Sequence, residues 1–222
     1  MTINKTLTQV KTAGRTYGGL SLALRKQQRR EQFLQAGLSV FGTLGFRSAT
    51  VRSLCKEAKL TDRYFYESFK NLEQLLIAVY EQCMSNLGTK ILDAISGTYQ
   101  KGDAETAIIA GLDAYFTMLE DPKIARICMV ELEGISPDVN ELYSNYIKGF
   151  SQMLVALTQN AFPEISLSRQ QQDIIAISFI GAMRQSATNW LMTEYKEDRA
   201  VVVEATSKIF LGVIKLIAPN QN

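Results

Sequence analysis

Between Thr50 and Phe69 the apolar residues fall at helical steps twice, with a break of only a few residues between the two runs. Val51, Leu54, Cys55 and Ala58 stand at i, i+3, i+4 and i+7, one face of a helix about two turns long that Thr50 can cap. Lys59 and Leu60 make a tight connection to Thr61, a second good cap, and the stretch LTDRYFYESF carries on into a further short helix. At about 100° per residue, Phe65 and Phe69 lie within about 40° of each other. Arg63, Tyr66, Glu67 and Lys70 gather on the opposite side, with Tyr64 at its border. The two phenylalanines therefore anchor the helix and leave a basic, aromatic face outward. Two short helices joined by such a turn form a helix-turn-helix pattern, the second helix being the one that can enter a major groove.

A longer helix precedes them. From about Ser21 the pattern turns helical, with Phe33, Gly37, Val40, Phe41 and Leu44 at three- and four-residue steps and Gly45 as a left-handed stop. Taken together, RREQFLQAGLSVFGTLGFRSATVRSLCKEAKLTDRYFYESFKNLEQLLIAVY, Arg29 to Tyr80, resembles the DNA-binding domain of the tetracycline-repressor-like (TetR) family of bacterial regulators. That family runs from an apolar first helix through a threonine-capped second helix to a short recognition helix ending in Tyr-x-x-Phe, here Tyr66 to Phe69. By its chemistry Arg63 suits a bidentate contact to guanine, and Tyr64 can offer its ring to a thymine methyl or its hydroxyl to a phosphate. Tyr66, Thr50 and Thr61 resemble the family's phosphate-contacting positions, and Lys70 and Arg52 can add charge there. Two positions depart from the pattern. Lys59 stands where glycine is common in the turn, and Leu72 replaces a lysine that often opens the fourth helix and touches phosphate, a role left to Lys70.

The charge distribution agrees with a nucleic-acid module. The chain has 222 residues and a net charge of +2, yet residues 1 to 75 hold 13 Lys and Arg against 5 Asp and Glu, and the remainder carries the opposite excess. No acidic residue occurs before Glu31. Such segregation fits a DNA-binding part joined to something else; a membrane-surface patch or an organellar transit peptide would also be basic. Residues 1 to 20, with Gly14, Gly18 and Gly19, lack a period and read as a flexible arm whose Arg15, with Arg25 and Lys26, could follow the DNA backbone or enter a minor groove.

The chain contains no histidine, which removes the commonest general base and metal ligand. No phosphate-binding glycine loop or nucleophile elbow is present, so the expectation is a protein that is not an enzyme and holds no cofactor or metal. Cys55, Cys83 and Cys128 are scattered and read as small buried hydrophobes in a reducing compartment. No stretch approaches the roughly 18 uninterrupted apolar residues of a membrane span, and no secretory signal is evident, which places the protein in the cytoplasm.

After Leu72 one long helix is expected to about Ile95, then four or five more helices punctuated by Gly97 and Gly102, Asp121-Pro122, Ser136-Pro137 and Phe162-Pro163. Apolar stripes run from Ala107 to Leu119 and from Val139 to Leu157, rich in rings and methionine; such stripes are ordinarily core. The family resemblance implies a ligand cavity among these helices. Phe116, Met129, Tyr146 and Phe150 are candidate walls, and Glu133 and Asn189, with Glu131, Arg184 and Gln185, are polar residues that could orient a ligand or pair with one another. The helices near residues 173–192 and 201–217 are apolar on more than one face, and Gly181 and Ala182 allow close approach, so a homodimer through these two helices is expected.

The sequence thus reads as all-α. An arm over residues 1–24 precedes a three-helix helix-turn-helix domain over 25–75 and a helical ligand-binding and dimerisation domain over 76–222. The function expected is that of a dimeric regulator binding double-stranded DNA, a repressor released from a palindromic operator by a small, largely apolar effector. The alternative is a helical ligand carrier or protein-interaction module with a merely solvated basic surface.

Overall fold

A computed structural model describes residues 21–99, 104–132 and 134–217, which form nine α-helices and one short 3-10 turn with no strand among them. The arm expected over residues 1–20 and the position of Glu133 lie outside the described residues.

Helix α1 (Leu22–Leu44) starts at Ser21, whose hydroxyl accepts the Leu24 N–H at 3.2 Å. It stops at Gly45, but not in the left-handed helical conformation expected: φ 81° with ψ 156° is a region essentially reserved for glycine. A 3-10 turn (Phe46–Ser48) leads to α2 (Val51–Ala58), where Thr50 and Ser53 cap each other reciprocally at 3.0 and 3.1 Å. Lys59 ends α2 in the left-handed region, φ 55° and ψ 38°, so lysine adopts the conformation for which glycine is common in the turn, at a cost of about 1 kcal/mol. Helix α3 (Asp62–Ser68) follows. Thr61 precedes it but its side chain caps nothing; Asp62 takes the role locally, accepting the Arg63 N–H at 2.8 Å.

Helix α4 (Leu72–Tyr99) continues through Gly97, which was expected to punctuate the chain. Then come α5 (Ala104–Leu119), α6 (Pro122–Met129), α7 (Pro137–Ala161), α8 (Arg169–Met192) and α9 (Arg199–Ile217). The five helices described after α4 fall within the four or five expected. None of the described helices is long and apolar enough to cross a membrane.

Phe33, Phe41, Phe65 and Leu54 are fully buried and Phe69 nearly so, closing α1, α2 and α3 on one another, with the Phe33 and Phe65 rings edge to face at 5.4 Å. Helix α4 packs Leu75, Leu76, Val79 and Tyr80 into the same core and runs on unbroken past the boundary expected near residue 75. A second connection joins α1 to α6. At Gly42 an added Cβ would lie 2.4 Å from the Lys123 Cβ and 2.6 Å from its Cα, so the two helices touch backbone to backbone. Beside this contact Arg126 pairs with Glu131 at 2.6 Å, and Glu131 accepts the Phe46 N–H at 2.7 Å. Glu131 is therefore a structural link between α6 and the end of α1, not a cavity residue.

These contacts separate two glycines by function. Gly42→Ala should lower stability by about 1–3 kcal/mol through overpacking against a backbone that cannot yield. Gly97→Ala, where nothing lies within 4 Å of the added Cβ, should raise it by roughly 0.5–1 kcal/mol. Urea unfolding midpoints of the two variants check both signs.

Candidate nucleic-acid interface and ligand cavity

Helix α3 presents its outer face as its period requires. The Arg63 side chain is 83% exposed, and Thr50, Arg52, Thr61, Tyr66 and Lys70 are exposed around it. Phe65 and Phe69 hold the opposite side in the core. Tyr64 is half-buried, and the Arg29 guanidinium of α1 lies 4.2 Å from its ring centroid. Arg29 also reaches Glu67 at 3.5 Å, and Arg30 stacks on the Phe69 ring at 4.8 Å. These two arginines were visible in the sequence only as part of a basic run; their place beside α3 is a tertiary fact. The surface is thus a set of cations, hydroxyls and the Tyr64 and Tyr66 rings, with the Glu67 carboxylate among them, on a three-helix frame suited to phosphate contacts flanking base readout by Arg63.

Among the later helices lies a cavity of about 450 Å³, in the range of small-molecule sites. Its α4 wall extends from Tyr80 to Ser96, about 24 Å of helix, so the space is elongated along α4. Met84, Met129, Met153 and Met183 line it with leucines, isoleucines and aromatic rings, a polarisable, adaptable wall. Polar groups sit toward its extremities. Arg184 lies near the Tyr80 end, donating to the Met129 carbonyl at 2.8 Å with its guanidinium 5.2 Å from the Tyr143 centroid. Ser96, Thr158 and Asn160 lie toward the other. Burial pushes the Tyr80 and Tyr115 hydroxyls up, so both stay neutral. A hydrogen bond with Cys83 and then burial raise the Cys128 thiol well above its usual range, leaving it no nucleophile.

Of the cavity residues named from sequence, Met129 and Phe150 line the space. Phe116 does not: it is buried behind the wall, edge to face with Tyr115 and Trp190. Tyr146 turns its ring against Tyr80 at 5.3 Å and is not part of the lining. Asn189 is exposed and lies off the cavity. No group of three or more potential metal ligands occurs among the described residues.

On the outside of α8 and α9, Ile174, Ile177, Met192, Val201, Ile209 and Leu216 are exposed. Gly181 and Gly212 have open space where a side chain would be.

A helix-turn-helix head on an all-helical body with an apolar cavity defines a DNA-binding transcription regulator of the ligand-responsive kind. The comparisons agree. Residues 33–79 match the family model described as bacterial regulatory proteins, tetR family. The chain is 20% identical over 192 residues to the fatty acid metabolism regulator protein of Bacillus subtilis, covering 86% of this chain and 97% of that protein. It is 24% identical to the HTH-type transcriptional activator FasR of Mycolicibacterium smegmatis, covering 85% of this chain and 84% of that one. The solved structure of the Bacillus subtilis transcriptional regulator FadR in complex with stearoyl-CoA superposes with a TM-score of 0.68 at 18% identity, over 86% of this chain and 99% of that one. The regulator reading therefore stands over the carrier alternative.

Arg63 and Lys70 should behave differently on DNA. Arg63→Ala should cost about 1–3 kcal/mol on a cognate duplex and relax preference at one base pair. Lys70→Ala should weaken all duplexes alike and reduce the salt slope by about one. Anisotropy titrations on cognate and scrambled duplexes at several salt concentrations separate the two.

Proposed function

We propose that the chain is a cytoplasmic homodimeric repressor, without catalytic activity, that reads a two-half-site operator through α3 and leaves it when a long, unbranched acyl chain fills the cavity. The observation that carries this reading is the shape of the cavity together with its position. It is apolar and extended along α4, and Cys128 and Met129 at the end of α6 line it. The same short helix is seated on α1 at Gly42 and tied through Glu131 to the amide of Phe46. A ligand that displaces the Met129 end of α6 acts on the junction of α1 with α2, and so on the spacing of two copies of α3. A tenfold loss of DNA affinity asks only about 1.4 kcal/mol of such coupling. The FadR relative seen with stearoyl-CoA supports an acyl chain as the occupant.

Dimerisation rests on the exposed apolar residues of α8 and α9, which a second copy would cover in a four-helix interface. A second reading has the opposite sign: FasR is named an activator, and an acyl ligand that strengthened DNA binding here would favour it.

Selection of a randomised duplex pool on the purified protein should enrich a motif of two half-sites with a steep salt slope. Stearoyl-CoA should release the protein from that duplex and octanoyl-CoA should not, because a short chain leaves most of the apolar wall uncovered. Glu131→Gln should still bind the long chain but respond to it weakly. A pool that stays flat would remove the reading.

A further inference from the structure

A carboxylate on a surface that meets phosphates is repelled by them, so the presence of Glu67 on the outer face of α3 calls for a reason. Stability is a weak one, since exposed ion pairs of this kind contribute little. Its geometry supplies a better one. Glu67 Oε1 accepts the Nε–H of Arg63, one turn earlier, at 3.2 Å. Glu67 Oε2 lies 3.5 Å from the Arg29 Nη2 of α1, and Arg29 is itself fixed over the Tyr64 ring at 4.2 Å. Exposure falls steadily along this chain of contacts, with side chains 83% exposed at Arg63, 35% at Glu67 and 20% at Arg29. The carboxylate is thus held from the α1 side, and Arg63 is the mobile partner. Arg63 is gripped through Nε, which leaves both Nη groups of its planar fork for other acceptors.

Resting on the DNA-binding reading above, we infer that Glu67 is the positioning residue for base readout. Anchored by Arg29, it holds Arg63 by Nε so that the two Nη groups meet O6 and N7 of one guanine. The same negative charge works against complexes in which Arg63 folds down onto a phosphate. Discrimination between bases and weak binding to random DNA therefore have one source. The pairing of an arginine fork with guanine is the commonest specific contact in the major groove; what is added here is the carboxylate that aims it.

The test uses the full-length protein, a selected operator duplex, and duplexes in which each guanine of one half-site is changed in turn to adenine with its complement. Wild type, Glu67→Gln, Arg63→Ala and the double variant are titrated, and thermal melting monitors folding. Arg63→Ala should lose the preference at one guanine. Glu67→Gln should lose at least about threefold of that same preference, bind scrambled DNA more tightly than wild type, and melt as wild type does. Adding Glu67→Gln to Arg63→Ala should change the preference no further. Glu67→Gln with the preference intact would overturn the inference, as would an equal loss on every duplex with lowered melting, which marks a structural role. Arg63→Ala with the preference intact would also overturn it while leaving the regulator reading standing. Wild type without any sequence preference would remove the reading itself, and this inference with it.

Discussion

The seat of α6 on α1 is the contact on which the arrangement depends. A glycine at position 42 lets the two backbones meet, and the Arg126–Glu131 pair beside it closes on the Phe46 amide. Glu131 is 9% exposed; a carboxylate taken this far from water is tolerated only because a guanidinium and a backbone N–H replace its hydration. Such a site has one good geometry. It ties the end of α1 to the Met129 end of α6, and on the proposed reading this makes the placement of the DNA-binding helices sensitive to what fills the cavity there. A softer apolar contact would absorb a shift; a directional one passes it on.

The remaining connections run the same way. Helix α4 belongs to both parts, packing Leu75 and Leu76 under α1 and lining the cavity from Tyr80 onward. Ser136, which caps α7, donates to Glu73 in the first turn of α4 at 2.8 Å. Arg184 in the cavity wall holds the Met129 carbonyl at the end of α6. Helices α6, α7 and α8, which line the cavity with α4, are thus linked by a hydrogen bond or a packed backbone along a path that leads to α1 and α4. That continuity, more than any single residue, is why we propose this cavity as the effector site.

Much of the N-terminal architecture was legible because its determinants are local. Phe65 and Phe69 share a face by helical period and Thr50 caps the run that follows it, whereas the reciprocal bond from Ser53 and the left-handed Lys59 came only with the structure. Thr61 misled because the neighbouring Asp62 carboxylate reaches the free Arg63 amide first. Gly97 misled because a glycine costs a helix only about 1 kcal/mol, less than α4 gains by packing along α5. The cavity residues were the hardest. An apolar stripe says which side of a helix faces inward, not which inward residues meet a void and which meet one another. Phe116 and Tyr146 found aromatic partners, and Phe150, on the same kind of stripe, found the open space. Likewise Arg29, far from α3 in sequence, could not be placed against Glu67 by any periodicity.

The central claim is that the cavity and the DNA face are thermodynamically coupled, and linkage gives it a strict form. The affinity of the selected operator duplex is measured without and with saturating stearoyl-CoA, and the affinity of stearoyl-CoA without and with saturating duplex. Both should weaken by the same factor, at least about tenfold, because a coupling free energy is reciprocal. Tight binding of both ligands with neither affinity altered by the other would contradict it.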